Sequence, residues 1–126
     1  MPDSDVIPEC VRQGIAFIPY FPLESGLLSG KYRPGQPPPP GSRGQSGWGP
    51  KVFTEQNLQW VERLRNFAAE RGRTVLELAM SWLAAQPAVA SIIAGATSAE
   101  QVRANAASVE WKMTPDEVRE VSAMTP

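Results

Sequence analysis

Two short segments concentrate the residue types that could hold a ligand. The first is Ser91-Ile92-Ile93-Ala94-Gly95-Ala96-Thr97-Ser98, an apolar run that passes through a glycine into a helix start. Free amides and the positive end of the helix dipole gather at such a start, which suits a phosphate. Gly95 allows close approach to the backbone. Thr97 and Ser98 add hydroxyl donors. Gln101 and Asn105 fall one and two turns along the same face, within reach of the rest of a nucleotide. The same residues also describe an ordinary strand-to-helix turn whose hydroxyls only cap the helix.

The second segment is Tyr20-Phe21-Pro22-Leu23-Glu24-Ser25-Gly26-Leu27-Leu28-Ser29-Gly30-Lys31-Tyr32. An aromatic residue at a strand end can stack on a flat ring, and the following serine and glycines can bind phosphate through backbone amides. A buried strand end with a glycine-rich turn is the plainer reading. Gly30-Lys31 does not make a P-loop, because Ser25 stands where the first glycine belongs and Tyr32 replaces the Ser/Thr. No G-x-G-x-x-G follows either apolar run.

Composition narrows the chemistry further. The chain has 126 residues and no histidine. That removes Ser-His and Cys-His nucleophiles and histidine-ligated zinc. Tyr20, Tyr32, the lysines and the carboxylates form no evident cluster, so neither a catalytic nor a metal set is assigned. A net charge of -1 gives no field for nucleic acid or anionic lipid. No apolar run reaches the ~18 residues of a membrane span. The acidic start Met1-Pro2-Asp3-Ser4-Asp5 does not read as a secretion signal, and Cys10 has no internal disulfide partner, so a cytoplasmic setting is expected.

The elements that must position these segments are readable from caps and periodicity. Val6 to Gln13 ends a helix closed by Gly14. Ile15–Ile18 and Val89–Ala94 are apolar runs without alternation, expected as parallel strands buried on both faces. Residues 24–52 are rich in Gly and Pro and are expected as a long irregular loop, with polyproline II at Pro37–Pro40. Thr54 caps a helix carrying Leu58, Val61, Leu64 and Phe67 that stops at Gly72. Thr74-Val75-Leu76-Glu77 is a capping box opening a helix with Val75, Leu78, Ala79, Trp82 and Leu83 on one face, ended by Pro87. Thr97-Ser98-Ala99-Glu100 reads as another box, for a helix to about Val109 with Val102, Ala106 and Val109 inward. Thr114-Pro115-Asp116-Glu117 starts the last helix. Strands alternating with helices define an α/β fold. Two strands cannot complete a sheet buried on both faces, so the pattern reads as part of something larger.

At these residues the chain resembles the aldo-keto reductases. Gly14 to Tyr32 is similar to the family's strand-seven segment, Ile92 to Asn105 to its strand-eight cofactor segment, and Leu78-Ala79-Met80-Ser81-Trp82-Leu83 to its seventh helix. The resemblance covers roughly Val6 to Met124. It implies that residues 1–126 form the C-terminal part of a (β/α)8 TIM barrel, about the last two β/α units plus a C-terminal helix. It further implies a nicotinamide cofactor, NADP before NAD, across the barrel mouth. By motif position Tyr20 would stack on the nicotinamide, and Leu23 and Ser25 would lie along the pyrophosphate. Gly95 and Thr97 would face the 2′-phosphate region, with Gln101 and Asn105 near the phosphate and adenine. Phe21 departs from the family's serine and Ala104 from its glutamate; the family's usual basic residue near the 2′-phosphate has no evident counterpart, and Arg103 is the candidate substitute. The family's catalytic Asp, Tyr, Lys and His belong to the first half of the barrel, so a carbonyl substrate is expected only in a complete one.

The alternative is a non-catalytic nucleotide-binding or interaction module derived from such a barrel. Self-association through exposed strand edges is also expected. Trp60, Trp82 and Trp111 read as packing residues, Trp48 as a loop residue that could touch substrate, Cys10 as an inert helix residue, and the charges from Glu62 to Arg73 as a solvated helix face.

Overall fold

The computed structural model describes residues 5–47 and 49–124. Trp48 and the first four residues of the acidic start lie outside the described residues. The helices form where their caps place them. Helix α1 spans Val6–Gln13, and Gly14 closes it at φ 65°, a left-handed geometry that glycine adopts without Cβ strain. Helix α2 is the single turn Gly49–Val52. Helix α3 spans Glu55–Ala69, with the Thr54 side chain accepting from the Asn57 amide. Helix α4 spans Val75–Ala84 and α6 spans Pro115–Ala123, each opened by a full capping box, Thr74 with Glu77 and Thr114 with Glu117. Helix α5 spans Ala99–Ala107.

The core lies between α3, α4 and the C-terminal segment. Val61, Leu64, Phe67 and Ala68 of α3 meet Val75 and Leu78 of α4, with Trp111 and Val121 closing one side. Phe67 stacks on Trp111 at 6.4 Å between ring centroids. The Trp82 indole donates to the Val118 carbonyl at 3.3 Å and to Ser122 Oγ at 3.1 Å, tying α4 to α6. The buried Ser81 hydroxyl donates to the Ser108 carbonyl at 2.9 Å, tying α4 to the end of α5.

Residues 24–52 are more structured than a plain loop. A 3-10 segment, Glu24–Ser29, sends Leu27 into the core with 1% of its surface exposed. Tyr32 is buried against Phe53 at 4.2 Å, and its hydroxyl accepts from the Gly44 amide at 3.3 Å. A second 3-10 turn covers Arg43–Gln45. Gly49 then crosses so close that a Cβ there would lie 2.2 Å from the Gly44 carbonyl oxygen. Burying Leu27 and Tyr32, worth on the order of 1.5–3 kcal/mol each, offsets a small part of the ~1–2 kcal/mol per residue that ordering the segment costs.

Four expectations need correction. Ile15–Ile18 and Val89–Ala94 are not regular strands among the described residues. They meet in a single parallel bridge, Phe17 with Val89, where Phe17 N donates to Ala88 O at 2.7 Å and Ala90 N to Phe17 O at 3.1 Å. Their faces are not buried either: Ile15, Ile18 and Ile93 are 57%, 51% and 68% exposed. A parallel strand needs a ladder on both sides and a layer on each face, and these segments have one neighbour. Helix α5 ends at Ala107 and buries no residue, and Val102 and Ala106 are exposed rather than inward. Its cap is Ser98 accepting from Gln101 N, not a box of Thr97 with Glu100. The charges from Glu62 to Arg73 are not simply solvated. Arg65 donates to the carbonyls of Gly30 and Tyr32 at 3.2 and 3.1 Å. Arg71 lies 3.6 Å over the Phe67 ring and bonds Glu117 at 3.2 Å.

Candidate functional site

The Phe17–Val89 bridge is parallel, so both segments leave it in the same direction. Tyr20 follows three residues after Phe17 and Gly95 six residues after Val89, so both candidate segments leave from the downstream edge of the bridge. That edge corresponds to the C-terminal side of the strands, where ligands collect in α/β folds.

On the first segment Tyr20 projects into solvent, 84% exposed. Its ring lies 4.1 Å from that of Phe21 at 26°. The backbone beyond is wound left-handed at three non-glycine residues, Phe21 at φ 51°, Glu24 at 43° and Ser25 at 57°. Such a conformation costs about 1–2 kcal/mol per residue. Hydrogen bonds hold it: Glu24 N donates to Phe21 O at 2.9 Å, and Leu23 O accepts from Gly26 N at 2.8 Å and Leu28 N at 3.2 Å. Leu23 and Ser25 are half-buried within this one turn. The turn is anchored from beneath by Leu27 and, at its far end, by Arg65.

On the second segment Gly95, Thr97 and Gln101 are exposed. The Gln101 side-chain oxygen accepts from both Thr97 N, at 2.8 Å, and Thr97 Oγ1, at 3.2 Å. Two donors at a helix start thus converge on one acceptor oxygen, the arrangement a phosphate oxygen would complete. Asn105 is half-buried, and its carbonyl accepts from Ser108 Oγ at 2.6 Å. It lines an open groove of about 490 Å³ with Met80, Ala90, Ile92 and Lys112.

The structure thus joins Thr97 to Gln101, sets Leu23 and Ser25 in one strained turn, and pairs Tyr20 with Phe21. The two groups are related to each other through the bridge. Among the described residues no group of three or more His, Cys, Asp or Glu could hold a metal ion. No helix among them is long and apolar enough to cross a membrane. Two contributors were not legible in the sequence. Phe21 stood out only as a departure from a serine, with nothing to say that its ring meets Tyr20. Arg65 sits in a charged helical run, and its partners Gly30 and Tyr32 lie more than thirty positions away.

Comparison with known proteins gives this geometry its context. The model of the aldo/keto reductase family matches residues 1–125. The chain is 34% identical over 106 residues to the L-glyceraldehyde 3-phosphate reductase of Escherichia coli K12, covering 81% of this chain and 31% of that protein. It is 31% identical over 111 residues to a probable voltage-gated potassium channel subunit beta of Arabidopsis thaliana, covering 86% of this chain and 34% of that protein. A glycerol dehydrogenase structure from Gluconobacter oxydans superposes with a TM-score of 0.77 at 25% identity, over 98% of this chain and 38% of that one. The chain belongs to the aldo/keto reductase family and has the fold of part of its barrel. It spans about a third of the length of the relatives it matches.

Proposed function

We propose that this chain supplies the nicotinamide-nucleotide end of an aldo/keto reductase site, with NADP(H) preferred to NAD(H). The observation that carries the reading is the pair of Thr97 donors meeting one oxygen of Gln101, at the start of α5. A phosphate oxygen would take the place of that amide oxygen, and Gln101 would then turn to the ligand's edge. Gly95 leaves the approach open, since no atom lies within 4 Å of where its Cβ would be. Asn105 faces the adenine side, Leu23 and Ser25 run along the pyrophosphate, and Tyr20 offers its ring to the nicotinamide. Arg103, exposed on α5, is the cation available to a 2′-phosphate in place of the family's usual basic residue there.

When bound, the reduced nicotinamide supplies hydride to the carbonyl carbon of an aldehyde or ketone. This chain's residues bind and orient. The proton donor and its partners would come from the part of the barrel that its motifs do not match, in a cytosolic setting. A second reading rests on the channel-subunit name of one relative, which suits a family member serving as an interaction module.

Titration of the 15N-labelled chain with 2′,5′-ADP and with ADP tests the cofactor reading. We expect the Thr97 and Gln101 amides to shift with both, and more strongly with 2′,5′-ADP, the excess disappearing in Arg103→Ala. Equal responses would favour NAD(H). No response to either nucleotide would remove the cofactor reading and leave the interaction module.

A further inference from the structure

Tyr20 is not alone at the site edge. Its ring is stacked on Phe21, 4.1 Å away and 26° from parallel, while 84% of Tyr20 remains exposed. One face of the tyrosine is therefore backed and the other is open. Phe21 itself is an anomaly twice over. It is a large apolar residue that stays 42% exposed, and it holds φ at 51°, a region that bulky residues rarely enter. The strain is maintained by the hydrogen bond from Glu24 N to Phe21 O at 2.9 Å. An exposed ring in a strained backbone contributes little to the core, and a costly outlier beside a ligand-facing group is where a functional reason is to be sought.

We propose that Phe21 is a positioning residue for ring recognition. It backs Tyr20, fixes the tilt of its ring, and makes the two side chains a single platform that presents one face to a flat cationic or aromatic ring. Offset aromatic layers favour each other through their quadrupoles, and a cationic ring gains further from the electron-rich face. The ligand class is a pyridinium or reduced pyridine ring, so the inference rests on the nicotinamide reading of this edge and deepens it. Phe21 carries no chemistry of its own; it acts through Tyr20.

The chain has two tyrosines, which makes the test direct. Labelled with 3-fluorotyrosine, it should give one fluorine signal from exposed Tyr20 and one from Tyr32, which is 4% exposed and reports on the fold. The probe is nicotinamide mononucleotide. Tyr20 should shift on titration while Tyr32 stays still. Phe21→Asn, a residue at home at positive φ, should weaken the response about threefold to tenfold, the range an aromatic pair is worth. Phe21→Trp, which keeps a stacking face, should restore most of it. A Phe21→Asn variant that binds as well as the parent would overturn this inference and leave the nicotinamide reading standing. Tighter binding by Phe21→Asn would also overturn it, by showing that Phe21 occupies the ring's own place. A Tyr20 signal that never moves in the parent would sink both.

Discussion

At Thr74 and Thr114 the hydroxyl accepts from the amide of the glutamate three residues on, that glutamate's carboxylate accepts from the threonine's own amide, and this local chemistry contributes a pH dependence. Burial works to raise the Glu77 carboxyl, but the Thr74 amide and hydroxyl and the Arg73 guanidinium outweigh it and hold it below the ordinary value of 4.5. The Thr114 amide lowers Glu117 first, helped by the Thr114 hydroxyl and Arg71 and opposed by slight burial. Both carboxyls are thus lower in the folded state than in the unfolded one. Their stabilisation is complete above pH 4.5 and is lost as pH falls through the lowered folded values. The double variant Glu77→Gln, Glu117→Gln should be less stable at pH 7 by about 0.3–1 kcal/mol per cap, since glutamine keeps the box's hydrogen bond and loses the charge at the helix start. Its stability should also fall less than the parent's between pH 6 and pH 3, conditions set around those carboxyls. Urea unfolding at the two pH values measures this, and parallel losses in parent and variant would exclude these carboxyls as the cause.

Among the elements, the segment from Glu24 to Val52 depends on a few long-range anchors. Arg65 is one of the polar ones, bonded to Gly30 and Tyr32 carbonyls while Glu62 holds its Nε at 3.1 Å and also pairs with Arg33. Arg65→Met keeps the aliphatic stem and removes both carbonyl bonds, which should cost about 1–3 kcal/mol. A protease of broad specificity should cut the parent first between Arg33 and Gly47, where most residues are exposed. In the variant, cuts should spread back into Glu24–Gly30. First cuts within α4, whose Val75 and Leu78 belong to the core, would contradict this order of local stability.

The whole molecule exposes more surface than its mass requires. Its accessible area is 7771 Å². A folded monomer of 13.7 kDa should show about 6,600 Å². The excess of about 1,200 Å² exceeds the ~800 Å² that each partner buries in a stable interface. It is also apolar where it matters, at Ile15, Ile18, Phe21 and Ile93 beside backbone with few ladder partners. We therefore expect the purified chain to self-associate with rising concentration, as unpaired strand edges do. Ile93→Lys should shift sedimentation toward the monomer. A parent that sediments as a monomer throughout, and melts in one sharp transition, would show that the single bridge and helical core suffice.

What the sequence determined by itself was set over three or four residues. The Gly14 stop and the caps at Thr54, Thr74 and Thr114 stand where their side chains and spacing put them, because each is closed by bonds within one turn. The apolar periodicity of α3 and α4 likewise placed Val61, Leu64, Phe67, Val75 and Leu78 in the core. Family membership was legible too, since the paired motifs at Tyr20–Tyr32 and Ile92–Asn105 are local strings. Tertiary structure decided the rest. Whether Ile15–Ile18 and Val89–Ala94 become strands depends on neighbours far along a chain, and here one bridge forms where a ladder was expected. Whether α5 buries Val102 depends on the layer beneath it. Whether Thr97 pairs with Glu100 or Gln101 turns on which acceptor reaches its two donors, and Gln101 does. Arg65 and Phe21 gained their roles from contacts that a periodic pattern cannot encode. Local bonds are fixed by spacing alone; pairing and burial are fixed by what the fold brings alongside.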